Sequence, residues 1–253
     1  MLFLHGAGQT QYAWGAAANR VARAGWHAIT IDLRGHGDSD WASDADYSQD
    51  AFASDIESVV RSMPKPPVIV GASLGGLTAL IAQGERSTDV ARALVLVDIV
   101  PGMNSEEADR ILVFMRAYSD GFESLDEAAA AVSQYLPHRP RPAEPSGLAK
   151  NLRLAADGRY RWHWDPSLTN GPSGLGKKRD PERHRAAARS LRIPCLLVRG
   201  AKSQLVTDEG VQDFVRLVPH TQVADVSGAG HMVAGDRNDA FAGAVLDFLS
   251  ALD

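Results

Sequence analysis

Short runs, most of them apolar at every position, alternate along the chain with segments that are apolar only at helical spacing. Met1 to Leu4, Trp26 to Ile31, Pro67 to Val70, Ala93 to Val97, Cys195 to Arg199 and Gln222 to Val226 read as strands. Between them, Tyr12 to Ala24 reads as a helix that Gly25 closes as a C-cap. Asp50 to Met63 is amphipathic, with Phe52, Ile56, Val59, Val60 and Met63 on one face. Gly76 to Gln83, Asp208 to Val218 and Ala240 to Leu252 complete the helical set. Strands without a polar face, separated by helices, predict an α/β fold whose parallel sheet is covered on both sides.

The alternation stops between residues 102 and 190, which divides the chain into core 1–101, an insertion 102–190 and core 191–253. Within the insertion, Arg110 to Tyr118 and Leu125 to Tyr135 look helical, and the prolines from Pro137 to Pro142 break the chain. Tyr160 to Pro166 is an aromatic patch in a segment that otherwise reads as turns, and Pro181 to Leu191 is a charged helix. The expectation is a helical cap over the C-terminal edge of the sheet, where α/β folds hold their sites. Lys177-Lys178-Arg179, with Arg183 and Arg185 close behind, is interleaved with Asp180 and Glu182 and reads as a solvated helix face, not a phosphate site.

One stretch carries chemistry. Gly71-Ala72-Ser73-Leu74-Gly75 joins a valine-rich strand to an apolar helix, and a strand that becomes a helix across G-x-S-x-G is a nucleophile elbow. Its glycines answer a steric need, since strand and helix backbones nearly touch there. Ser73 is then exposed at the apex, beside the unpaired N–H groups of a helix start. Far downstream, Ser227-Gly228-Ala229-Gly230-His231 sets a histidine on a glycine-rich loop before the last helix, a place poorly explained by core packing. A hydroxyl is a weak nucleophile without an adjacent base, and His231 supplies one. Tyr160, Trp162 and Trp164, with Phe114, Met115 and Tyr118, are candidates to line an apolar pocket above Ser73, with Phe114, Trp162 and Trp164 foremost.

Composition narrows the classes. With 26 Lys and Arg against 31 Asp and Glu, the 253-residue chain has a net charge of −5, which argues against nucleic acid or an anionic membrane as partner. No run approaches a membrane span of about 20 residues, and no secretory leader is legible. The single cysteine, Cys195, excludes an intrachain disulfide and a multi-cysteine metal cluster, and its strand setting reads as small apolar filler. The expectation is a cytoplasmic protein acting on a small molecule that carries an apolar group, with no metal or organic cofactor.

Four motifs then carry a resemblance: His5-Gly6 after the first strand, Asp32-Leu33-Arg34-Gly35-His36-Gly37-Asp38-Ser39, Gly71-Ala72-Ser73-Leu74-Gly75-Gly76, and Gly228-Ala229-Gly230-His231. In this order, spanning nearly the whole chain, they resemble the α/β-hydrolase superfamily, in particular its capped esterases, haloperoxidase-like proteins and C–C bond hydrolases. The resemblance implies that Ser73 attacks an acyl carbon, that His231 takes its proton, and that the amides of Ala7 and Leu74 form the oxyanion hole. His5 and His36 would be structural or loop-orienting. Two departures stand out. The two strands that usually precede the one at Leu2 are not in the sequence, which would expose one side of that opening strand. And Gln204 occupies the place, after the strand ending at Arg199, where an aspartate is usual.

Part of the superfamily takes its acid from the end of the preceding strand, and Asp98 stands there, in Asp98-Ile99-Val100-Pro101. Its rival is Asp208, although Thr207-Asp208-Glu209 also reads as a helix start with acids in its first turn. The expected activity is that of a serine hydrolase cleaving a carboxylic ester through an acyl-enzyme. The alternatives are a C–C bond hydrolase or thioesterase of the same fold, and a catalytically silent binding protein, for which Gln204 and the missing strands are the arguments.

Overall fold

Six strands, all parallel, form the central sheet among the residues that the computed structural model describes, 1–137, 145–177 and 179–252. In chain order the strands are β1 (Leu2–Leu4), β2 (Ile29–Ile31), β3 (Val68–Ala72) and β4 (Ala93–Val97), then, after a separate ribbon of β5 (Leu152–Leu154) and β6 (Tyr160–Trp162), β7 (Cys195–Gly200) and β8 (Gln222–Val226). The sheet order is β2-β1-β3-β4-β7-β8. The helices are α1 (Gly15–Arg23), α2 (Gln49–Arg61), α3 (Leu74–Gly84), α4 (Ser105–Arg116), α5 (Leu125–Tyr135), α6 (Ser167–Asn170), α7 (Pro181–Arg189), α8 (Asp208–Leu217), α9 (Val233–Asp236) and α10 (Asn238–Ser250).

Side chains alternate across a strand, so the apolar runs fill two cores. Leu2, Leu4, Ile69, Leu94, Leu96 and Leu197 face α2, α3, α7 and α8, where Phe52, Ile56, Leu80 and Phe214 meet them. Phe3, Val70, Val95, Val97 and Val198 face α1 and α10, against Val21, Phe241, Val245 and Phe248. Burial on both faces is why these strands carry no polar stripe. Cys195 lies in the first core, and burial pushes its thiol up to about 12, so it stays an inert filler.

Four expectations change. The strand predicted from Trp26 begins at Ile29, which pairs Leu2 of β1. The opening strand has no exposed side: β1 pairs β2 on one side and β3 on the other, and the sheet edge falls on the half-buried β2. The aromatic patch is no turn region. Leu152 pairs Trp162 and Leu154 pairs Tyr160 in an antiparallel ribbon whose reversal holds Asp157 and Gly158, the latter at φ +81°. Asp-Gly between alternating apolar positions is a hairpin signal that the reading passed over. The basic residues around α7 are tied rather than merely solvated. Arg183 bonds Asp50 and Glu85, Arg185 bonds Asp213, and Arg179 bonds Asp109, which clamps α7 and its approach to α2, α4 and α8. Lys178 and the proline-rich break from residue 138 to 142 lie outside the described residues.

Three buried histidines hold the loops at the C-terminal ends of β1 and β2. His5 accepts from the Leu33 amide at 2.9 Å, His36 from Gly8 at 3.1 Å, and His163, just after β6, from Gly37 at 2.7 Å. The rings lie in a row, with centroids 4.9 Å apart for His5 and His36 and 5.9 Å for His36 and His163. Burial pushes their pKa values down to about 4, 3 and 3 in that order, so all three are neutral and can accept those bonds. In the unfolded chain they titrate near the ordinary 6.5, so unfolding takes up protons below that pH. The stability they contribute is complete above about pH 6.5 and is lost as pH falls toward their folded values, at about 1.4 kcal/mol per pH unit for each ring. The fold is therefore expected to unfold cooperatively above pH 4, as followed by circular dichroism. In His163→Asn, whose amide oxygen can still accept from Gly37, the proton uptake on unfolding should fall by about one. An unchanged uptake would contradict this account.

Candidate active site

The elbow between β3 and α3 is closed by contact of backbones. A Cβ on Gly71 would lie 2.6 Å from the carbonyl oxygen of Gly75, and one on Gly75 would lie 2.5 Å from that of Leu4. Only glycine fits either place. Ser73, between them, is held at φ +46° and ψ −112°, outside the regions a side chain prefers. Two bonds fix that strained residue to the sheet: its N–H donates to Val97 O, and the Gly75 N–H donates to His5 O at 3.2 Å. As the first residue of α3, Leu74 has an N–H with no partner in the helix. Ala7 sits in the loop after β1, beside Gly6, where a Cβ would stand 3.4 Å from that of Ser73.

Asp98 follows β4 immediately and is fully buried, with its own backbone at φ +50°. Its carboxylate collects donors from three directions. Oδ1 accepts from the Gly200 N–H at 3.1 Å, at the end of β7. Oδ2 accepts from Ser203 Oγ at 2.5 Å and from His231 Nδ1 at 2.8 Å. With its proton on Nδ1, the neutral ring of His231 keeps Nε2 as an acceptor. The loop that carries His231 is itself fixed, since Gly230 N–H donates to Asp236 and Ala229 O accepts from Lys202 N–H.

His231 and Ser73 line one cavity of about 400 Å³. Phe114, Trp162 and Trp164 line it too, together with Met115 and Tyr135. Phe114 stacks on Tyr135 at 4.1 Å and Trp162 on Trp164 at 4.8 Å, which makes a continuous aromatic wall. Tyr118 and Tyr160 are not part of that lining; each packs near Phe122 instead. A second cavity, of about 380 Å³, shares Ala7, Ser73 and Ile111 with the first but excludes His231 and includes Leu74. The nucleophile position thus stands where two cavities meet.

The rival acid is placed elsewhere. Asp208 is exposed in the first turn of α8 and takes Arg199, which also bonds Asp225 at 2.8 Å. Gln204 is exposed, and the residue before it, Ser203, is the one that reaches the buried carboxylate. Sequence reasoning missed Ser203, Tyr135 and the whole second cavity; a serine one place before the unusual glutamine was the only legible hint. His5 and His36 belong to the loop scaffold. Among the described residues no group of three or more His, Cys, Asp or Glu is arranged to hold a metal ion, and no helix is long and apolar enough to cross a membrane.

Residues 1–237 match the family of the alpha/beta hydrolase fold. The chain is 31% identical over 245 residues to esterase Rv0045c of Mycobacterium tuberculosis, covering 94% of this chain and 78% of that protein. It is 28% identical over 263 residues to the mouse sn-1-specific diacylglycerol lipase ABHD11, covering 99% and 80%. The crystal structure of E-2-(acetamidomethylene)succinate hydrolase superposes with a TM-score of 0.85 at 26% identity, over 99% of this chain and 91% of that one.

Proposed function

The chain belongs to the alpha/beta hydrolase fold family, and on that premise we propose that it is a serine hydrolase that cleaves a carboxylic ester through an acyl-enzyme. One observation carries the reading: His231 Nδ1 is bound to a buried carboxylate at 2.8 Å, on a ring that shares a cavity with the serine of the elbow. The esterase and lipase among its relatives support the same class.

In this mechanism Nε2 of His231 removes the Ser73 proton as Oγ attacks the ester carbon. Asp98 holds the ring in the required tautomer and stabilises the imidazolium, an interaction that counts for more inside a shielded site than in water. The carbonyl oxygen becomes an oxyanion that the amides of Leu74 and Ala7 receive, and fixed donors of this kind supply much of the rate enhancement. His231 then gives its proton to the departing alkoxide, and water repeats the sequence on the acyl-enzyme. In this reading Asp98 fills the role that Gln204 cannot, which answers the part of the case for a catalytically silent protein that rests on Gln204.

A fluorophosphonate probe should label the protein on Ser73, and Ser73→Ala should abolish both labelling and hydrolysis of p-nitrophenyl acetate. Asp98→Asn should lower kcat by about 10²- to 10⁴-fold, the upper end being the order seen on loss of the correct histidine tautomer in a serine protease. Asp208→Asn and Gln204→Ala should each cost less than about tenfold. Full activity in folded Asp98→Asn would end the assignment.

The aromatic wall faces the side of Ser73 on which His231 stands, so the alcohol part of the ester is expected to meet it. Benzyl acetate should be hydrolysed with a higher kcat/KM than methyl acetate, and Trp162→Ala should raise KM for the benzyl ester more than for the methyl ester. Equal kcat/KM for the two esters would remove this role from the wall.

A further inference from the structure

With His231 neutral, the cavity that it shares with Ser73 carries one formal charge, and that charge is positive. Among the described residues its lining holds no Asp or Glu; the Asp98 carboxylate is buried behind the His231 ring and does not line it. Lys150, two residues before β5, lines the cavity at its exposed rim. Its ammonium lies 5.7 Å from the centre of the Tyr12 ring, which lines the same cavity and is itself exposed. No carboxylate among the described residues pairs with this cation. The second cavity is the contrast: Arg179 and Arg183 line it together with Asp50 and Asp180, and both guanidinium groups are bonded to carboxylates.

The uncharged amides of the first cavity also present donors. Gln9 accepts the Gly6 N–H on Oε1 at 3.0 Å, which fixes the orientation of its amide and leaves the Nε2 hydrogens without an acceptor among the described residues. Asn151, beside Lys150, accepts from Thr10 Oγ1 on Oδ1 at 3.4 Å and keeps its Nδ2 hydrogens in the same way. Both side chains are half-buried, and neither nitrogen is enclosed. A cation on an aromatic ring, beside unpaired N–H donors and with no negative lining, suits an anion. If the ester-hydrolase reading above holds, the alcohol part lies in this cavity, because His231 returns its proton to the leaving oxygen. We propose that the substrate is an ester whose alcohol part carries, beyond the group that meets the aromatic wall, a carboxylate that Lys150 receives at the rim.

The test compares 3- and 4-(acetoxymethyl)benzoate with the corresponding carboxamides, which have nearly the same shape and no charge. The ring and methylene insulate the ester bond from the carboxylate, so a preference reports binding. At low ionic strength at least one carboxylate should exceed its amide in kcat/KM by about 2- to 5-fold, chiefly through KM, the scale of an exposed ion pair. Sodium chloride at about 0.5 M should shrink that ratio by screening. Lys150→Gln should bring it close to one, and Lys150→Glu should invert it. Should either variant fail to fold, the ratio and its salt dependence in the natural protein still decide. If benzyl acetate is hydrolysed but neither carboxylate is preferred to its amide, or if folded Lys150→Gln keeps the preference, this inference fails and the hydrolase reading stands. If no ester is hydrolysed and Ser73 takes no probe, both fall together.

A different observation concerns Ser203 and rests on the same hydrolase reading. Its Oγ accepts from the amides of Leu205 and Val206, at 3.2 and 3.3 Å, and donates its own proton to the Asp98 oxygen that also receives His231. The geometry points to Ser203 as a positioning residue: it locks the carboxylate rotamer and shares Oδ2 with the histidine. In Ser203→Ala, kcat should fall about tenfold with KM little changed, in the range of a bond to a charged group. The low-field proton resonance of His231 Nδ1 should move further downfield, because Oδ2 then serves a single donor. Ser203→Thr, which keeps the hydroxyl, should restore both. Unaltered kcat and resonance in the alanine variant would overturn the role, as would a folded threonine variant as slow as alanine with its resonance unmoved.

Discussion

A single buried carboxylate organises the site. An ionised group with no exposure to water is strongly disfavoured unless hydrogen bonds replace its hydration. Asp98 meets that demand with donors from three stretches distant in sequence: the end of β7, the turn after it, and the loop that carries His231. Withdrawing any one leaves charge uncompensated in the interior. The requirement that keeps Asp98 satisfied therefore fixes the histidine loop against the sheet. The backbone follows the same demand, with Asp98 at φ +50° as β4 ends, so that the side chain turns back between β7 and the loop.

Strain at Ser73 is of the same kind. Both residues sit just past neighbouring strands, β3 and β4, in conformations that cost of order 1–3 kcal/mol each. The sheet bears this because β3 and β4 are buried on both faces and bonded on both sides, and the strained positions are tied directly into that ladder: Ser73 N–H to Val97 O, Asp98 N–H to Val198 O. At the loops after β1 and β2, His5, His36 and His163 do what the ladder does for the strands, each accepting from a backbone N–H that would otherwise be orphaned. That scaffold depends on neutral imidazoles, so the site rests on a base that acid undermines.

Most of the core was legible because period and steric need coincide there. Strands apolar at every position can only be covered on both faces, and a G-x-S-x-G between such a strand and an apolar helix leaves few other geometries. Asp98 was reachable only through the resemblance, since part of that superfamily carries a carboxylate at the end of the strand after the elbow. What escaped the reading depends on long-range contact. The ribbon of β5 and β6 is hard to tell from a turn-like segment because its strands are three residues each and partly exposed, although Asp157-Gly158 marks the reversal. The charges near α7 looked solvated because their partners, Asp50, Glu85 and Asp213, lie on other elements. Ser203 was invisible for the same cause: nothing local distinguishes a serine that caps its own turn from one that also reaches a carboxylate 105 positions away.

The second cavity follows from where the cap is anchored. Arg183 and Arg185 pin α7 to α2 and α8, and Arg179 ties its approach to α4, while the aromatic wall packs β6 against α4 and α5. Attachment along these two lines, rather than across the middle, leaves open space on either side of Ile111, which lines both cavities above Ser73. A cap that rested directly on the elbow would close one space or merge the two. The two cavities differ in their lining: stacked rings on the histidine side, aliphatic walls with a polar portion on the other. That difference rests on contacts between elements distant in sequence, and it could not be read from the elbow motif alone.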